Sequence, residues 1–104
     1  MTIGQKIKQL RESTGMLQRE LASKLNFGEG FLSKVENDQK QLKRDDLKKL
    51  SRIFKTSFHE LDTLWLANKI YDLVKDEKQG SDALKVAEEQ LKYGKSNKNF
   101  YSMK

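Results

Sequence analysis

The run from Met16 to Asn37 limits what this chain can fold into more than any other stretch. Leu17, Leu21 and Leu25 recur every four residues with Ala22 beside them, which predicts a short helix carrying one apolar stripe. Leu32 and Val35, three residues apart, predict a second. Between the two lies Asn26-Phe27-Gly28. Asn26 tolerates the left-handed conformation that ends a helix, Phe27 supplies an apolar plug, and Gly28 lets the backbone open the next helix without a side chain in the way.

Two short helices joined by such a turn form a helix-turn-helix, whose second helix enters the DNA major groove. The segment Leu25-Asn26-Phe27, followed after four residues by Leu32-Ser33-Lys34-Val35-Glu36-Asn37, resembles the signature of phage repressor and Cro-type (XRE family) regulators. In that family a small residue and a hydrophobic one precede the recognition helix, and a run close to Ile-Ser-Arg-Ile-Glu-Asn closes it. The resemblance spans about Ile3 to Leu64. Three positions depart from it. Leu17 stands where a serine or threonine cap is usual, Gly28 replaces the capping residue of the recognition helix, and Asp38 replaces a glycine. An alanine-like residue at a cap costs about 1 kcal/mol, and glycine only a few tenths. The resemblance implies an all-α fold with a five-helix repressor-like helix-turn-helix domain over residues 1–64; beyond it, the apolar pattern predicts a helical extension over 65–93 that dimerises, and the loss of periodicity in a Lys/Asn/Ser-rich run predicts a flexible basic tail over 94–104.

By the same resemblance, Gln18 opens the first helix of the motif, where its amide and nearby backbone N–H groups grip a phosphate; otherwise it is a surface glutamine. Glu29 and Gly30 match the positions that probe base edges, with Ser33 and Lys34 one turn later. Lys34 can donate to guanine O6/N7 or hold a phosphate, and Glu29 can accept from cytosine N4 or simply favour the helix N-terminus. Phe31 either meets a thymine methyl or packs inward as core. The loop from Asn37 to Arg44 offers Asn37, Lys40, Lys43 and Arg44 for the DNA backbone or minor groove, with Lys43 and Arg44 equally placed for the arginine-like role. Glu36 corresponds to an acid that bonds back to the body of the domain.

Charge supports this layout. Residues 1–60 hold 13 Lys/Arg against 8 Asp/Glu, residues 61–93 hold 5 against 7, and the tail adds three lysines. The basic half is therefore the half with the motif, as phosphate attraction requires. A solvated lysine-rich surface has the same composition, so the motif and not the charge decides. Thr2-Ile3-Gly4-Gln5 and Ser57-Phe58-His59-Glu60 are capping-box patterns opening the first and fifth helices. Lys6, Lys8 and Arg11 fall off the inward stripe of Ile3, Ile7 and Leu10, on faces open to solvent or phosphate. Leu47, Leu50, Ile53 and Phe54 give the fourth helix its core face.

The fifth helix, drawn to about Glu77, carries apolar residues around much of its circumference. A second copy of the chain covering Leu64, Trp65, Asn68, Ile70, Tyr71, Val74, Leu84 and Leu91 is the expected dimer interface, with Asn68 able to set register. A sixth helix folding back within one chain is the alternative. The stretch Leu64 to Tyr71, with Lys85-Val86-Ala87, also resembles small controllers of restriction-modification operons.

Other chemistries find little support. There is no cysteine for a disulfide or thiolate site, His59 has no second histidine at ligand spacing, and no nucleophile-base set or glycine-rich phosphate loop is present. Neither an enzyme, a metal nor a cofactor is expected. With no apolar run near the ~20 residues of a membrane span, a cytoplasmic protein is expected. The function read from sequence is a homodimeric regulator on a palindromic operator in double-stranded DNA. The rival is an interaction module or antitoxin holding a protein partner on its C-terminal apolar face.

Overall fold

Left-handed residues close the first four helices of this chain: Gly15 (φ 70°), Asn26 (φ 63°), Asp38 (φ 63°) and Lys55 (φ 52°). After each, the next amide reaches back five residues, Met16 to the Arg11 carbonyl (3.0 Å), Phe27 to Ala22 (2.8 Å), Gln39 to Lys34 (2.8 Å) and Thr56 to Ser51 (3.1 Å). These are Schellman closures, which satisfy helix-end carbonyls and turn the chain sharply. Repeating the same turn folds short helices back on one another.

The computed structural model describes residues 1–96. All its regular secondary structure is helical: α1 (Ile3–Ser13), α2 (Gln18–Leu25), α3 (Glu29–Glu36), α4 (Asp46–Phe54), α5 (Phe58–Val74) and α6 (Gly80–Ser96). The all-α expectation holds, and α5 ends three residues before the expected Glu77. The chain divides into one unit, Met1–Lys69, and a second that begins at Ile70.

In the first unit, Thr2 and Gln5 complete the capping box of α1, with Gln5 N–H donating to Thr2 Oγ1 (3.0 Å) and Thr2 N–H to Gln5 Oε1 (2.9 Å). Leu17, lacking an oxygen, cannot cap α2. Its own amide instead donates to the Glu20 carboxylate at 3.0 Å, so half of a capping box survives the missing serine. At α5 the Ser57 hydroxyl accepts from Glu60 N–H (3.2 Å), while the Glu60 carboxylate pairs with Lys6 at 2.9 Å. Lys6 is thus an intramolecular partner and not an open cation.

The core joins Ile3 and Ile7 of α1, Leu21, Ala22 and Leu25 of α2, Leu32 and Val35 of α3, Leu42, Leu47 and Leu50 around α4, and Leu61 of α5. Phe27, Phe31, Ile53, Phe54, Leu64 and Trp65 pack on its margin. Gly4 is buried where α1 crosses the end of α3. A Cβ there would press on the Val35 carbonyl oxygen and lie 2.6 Å from Asp38 Oδ1, so the crossing admits only glycine.

In the second unit, the end of α5 and the start of α6 approach closely at Gly80, where an added Cβ would lie 2.5 Å from the Val74 carbonyl oxygen. Along α6, Leu84, Val86, Leu91 and Tyr93 are exposed. Of the expected basic tail, residues 97–104 lie outside the described residues.

Candidate nucleic-acid interface

The second helix of the helix-turn-helix, α3, is held from behind by a buried ion pair. Arg11 of α1 donates from Nε to Glu36 Oε2 (2.7 Å) and from Nη2 to Glu36 Oε1 (3.0 Å), while its Nη1 donates to the Met16 carbonyl (2.9 Å). The Glu36 side chain is 1% exposed and that of Arg11 11%. Gln18, at the start of α2, donates from Nε2 to Glu36 Oε1 at 3.0 Å. One carboxylate therefore ties together α1, the α1–α2 turn, α2 and the last turn of α3. The hydrogen bond to Glu36 raises the Arg11 guanidinium above its already high pKa, so the guanidinium stays charged.

This arrangement corrects the sequence reading of Arg11 as a residue on an open face. Polar periodicity cannot separate a solvated arginine from one whose carboxylate partner lies 25 residues on. It also changes the picture of Gln18. One of its amide N–H bonds serves Glu36, and the other is left for an external acceptor.

With Leu32, Val35 and Glu36 buried, α3 presents Glu29, Gly30 and Lys34 to solvent and leaves Phe31 and Ser33 half-buried. Phe31 meets the edge of Phe27 in a T-shaped contact, centroids 4.9 Å apart and rings at 83°, and packs against the core. Of the two alternatives for Phe31, packing is the one seen in the structure. Gly28 caps α3 with φ −69° and ψ 148°, ordinary extended values, and a Cβ there would meet nothing within 4 Å. The expectation that Gly28 was needed for clearance is therefore corrected: a Cβ at this position meets no neighbour and no unusual φ. Asp38 occupies the left-handed position usually given to glycine and adds a hydrogen bond from Thr2 Oγ1 (3.0 Å), which joins α3 to the start of α1.

Beyond α3, Asn37, Lys40 and Lys43 are exposed. Lys40 and Lys43 form no ion pair among the described residues. Arg44 differs. It donates from Nε to Asp62 Oδ1 (2.7 Å) and from Nη2 to Asp62 Oδ2 (2.9 Å), and its Cζ lies 5.0 Å from the centroid of Trp65. Geometry thus separates Lys43 and Arg44, which sequence alone left equivalent.

Residues 7–61, more than half of the chain, match the helix-turn-helix family model. This chain belongs to the helix-turn-helix family of phage repressor and Cro (XRE) type. It is 39% identical over 57 residues to the HTH-type transcriptional regulator ImmR of Bacillus subtilis (strain 168), a match covering 55% of this chain and 45% of ImmR. The chain therefore spans less than half the length of that relative. Among solved structures it is similar to SinR, the master regulator for biofilm formation, in complex with DNA, with TM-score 0.52 and 34% identity over 58% of this chain and 97% of that one. It is similar also to a SinR–SinI protein complex, with TM-score 0.52 and 26% identity over 88% of this chain and 99% of that one. The fold is that of a transcription regulator.

The C-terminal residues expected at a dimer interface divide into two groups. Leu64 and Trp65 are half-buried against their own core, and the Trp65 Nε1 donates to the Leu42 carbonyl at 2.9 Å. Asn68 and Val74 are also half-buried. Ile70, Tyr71, Leu84 and Leu91 are exposed, together with Leu66 and Leu73, which belong to the same apolar helix but were not among the residues expected at the interface. Their signal was available, since α5 is apolar on faces that a single core cannot cover. No helix of the described residues is long and apolar enough to cross a membrane, and no group of His, Cys, Asp or Glu among them is placed to hold a metal.

Proposed function

We propose that this regulator binds a palindromic operator as a homodimer, with two copies of α3 in successive major grooves about 34 Å apart. The carrying observation is the outward face of α3, where Glu29, Gly30 and Lys34 sit on a helix locked from behind by Arg11 and Glu36. Lys34 donates to a guanine edge or a phosphate, and Ser33 lies beside it. Glu29 selects by accepting from cytosine and penalising bases that offer no donor. Gly30 gives the backbone close access. Gln18, Asn37, Lys40 and Lys43 set register on phosphates. Likeness to a relative solved with DNA supports this reading.

Dimerisation is supported by the exposed apolar residues Leu66, Ile70, Tyr71, Leu73, Leu84 and Leu91, since monomers seldom leave so many large apolar side chains in water. A regulator of this kind works in the cytoplasm on its own or neighbouring genes. The resemblance of the C-terminal stretch to controller proteins makes a restriction-modification operon the first place to seek the operator.

A second reading has its own support. The relative aligned over 88% of this chain was solved with a protein partner, and the same apolar residues would serve a heterologous helix. Selection of bound duplexes from a random pool, followed by a salt titration, tests the first. A palindromic consensus bound with a steep negative salt slope is expected, and Lys34→Ala should weaken that binding about tenfold, the worth of one good base contact. Ile70→Lys with Leu73→Lys should give a monomer by light scattering. No enrichment from the pool, with a monomeric wild type, refutes the homodimeric operator reading in favour of the protein partner.

A further inference from the structure

Three contacts run from α5 to the loop between α3 and α4. Trp65 Nε1 donates to the Leu42 carbonyl (2.9 Å), Asp62 takes Arg44 in a two-pronged pair (2.7 and 2.9 Å), and the Arg44 guanidinium lies over the Trp65 ring (5.0 Å). Lys69 Nζ also lies 4.9 Å from that ring's centroid. The Leu42 side chain is itself buried in the core. The loop's second half is thus fastened through main chain at Leu42 and side chain at Arg44, on either side of Lys43, although the loop has no regular secondary structure to hold it.

We propose that Asp62 and Trp65 are positioning residues for this loop, that they hold Arg44 as a structural tie and not a phosphate ligand, and that Lys40 and Lys43 carry the loop's contacts to DNA. The proposal rests on the operator-binding reading. Its physical basis is charge and geometry. A carboxylate bonded to two guanidinium nitrogens matches that group's fork and cancels the charge that draws a phosphate. Half of the Arg44 side chain is exposed, which favours a solvent-facing brace over a buried anchor, while the Asp62 side chain is 24% exposed. Lys40 and Lys43 form no ion pair among the described residues and are exposed, so their side chains are available for phosphate contact and counterion release. Sequence places Arg44 in the basic run and cannot show that its partner is eighteen residues away.

The test uses the full chain, the duplex recovered by selection, and the emission of Trp65, the single tryptophan. Arg44→Gln should weaken binding about two- to fivefold, the size of an exposed ion pair, without changing the slope of log affinity against log salt. Lys43→Gln should lower that slope by about 0.9 for each protomer's lost phosphate contact. Asp62→Asn should weaken binding as much as Arg44→Gln, add nothing to it in combination, and shift Trp65 emission without DNA present. A shallower slope in Arg44→Gln overturns the proposal by making Arg44 a phosphate ligand of the wild-type chain, and binding by Asp62→Asn as tight as wild type or tighter overturns the positioning role of Asp62. Unchanged Trp65 emission in Asp62→Asn overturns the tie itself. Failure of the wild type to bind any selected duplex overturns the operator reading and with it the loop's DNA role, while the emission shift separately reports whether the tie exists.

Discussion

Removing one side of the Arg11–Glu36 pair should cost far more than removing both. Glu36 is 1% exposed and accepts three hydrogen bonds, two from Arg11 and one from Gln18. Arg11→Met keeps most of the side-chain volume but leaves the carboxylate buried with the Gln18 amide alone. Breaking a buried pair from one side typically costs about 3–5 kcal/mol, and a domain this small has only about 5 kcal/mol or a little more to lose. We expect a loss of about 3 kcal/mol, a fall in Tm on the order of 15 °C. Arg11→Met with Glu36→Leu removes both charges together. It still forfeits the bond to the Met16 carbonyl, so we expect a net cost of about 1 kcal/mol or less. Urea melts followed by circular dichroism at pH 7, with m-values checked for constancy, give the double-mutant cycle. A single-mutant cost below about 1 kcal/mol, or a double mutant as unstable as the sum of the two singles, would refute the view of this carboxylate as a buried, fully committed anchor.

The remaining predictions concern the backbone and one exposed pair. Gly4→Ala should destabilise by about 2 kcal/mol despite alanine's better helix propensity, because the added methyl meets backbone at Val35 and Glu36 that cannot yield; equal or higher stability in urea would count against that close crossing. Gly28→Ser should raise stability by a few tenths of a kcal/mol, since the cap is already extended, the space is open and a serine oxygen can accept an α3 amide; a loss would show that the position needs glycine after all. Arg44 holds the Asp62 carboxyl below its ordinary value, chiefly by hydrogen bonding. A lowered carboxyl pKa stabilises the fold above the unfolded value of about 3.9, and that contribution fades as pH falls through the lower, folded value. Trp65 emission should therefore stay constant from pH 7 to about 4 and change below it, and a transition near pH 6 would point to a different group.

The left-handed closures show how unevenly sequence exposes structure. Gly15 and Asn26 announce theirs, because glycine and asparagine tolerate positive φ at little cost. Lys55 does not, and its conformation follows from the closure of α4 onto the start of α5. Asp38 looked like a departure from pattern, yet it holds the same φ as Asn26 and gains a bond from Thr2 that glycine could not make.

The four-residue spacing of Leu17, Leu21 and Leu25, the Asn26-Phe27-Gly28 turn and the Leu32–Val35 stripe sufficed by themselves for an all-helical chain built on a helix-turn-helix, because helical periodicity and turn chemistry are local. The partners of the charged residues were decided only by the tertiary structure. Arg11, Lys6 and Arg44 belong to a basic half suited to DNA, yet each is paired with an acid at least 18 residues away. Linear sequence carries the sign of a charge, whereas whether that charge meets a carboxylate or solvent depends on how the helices cross.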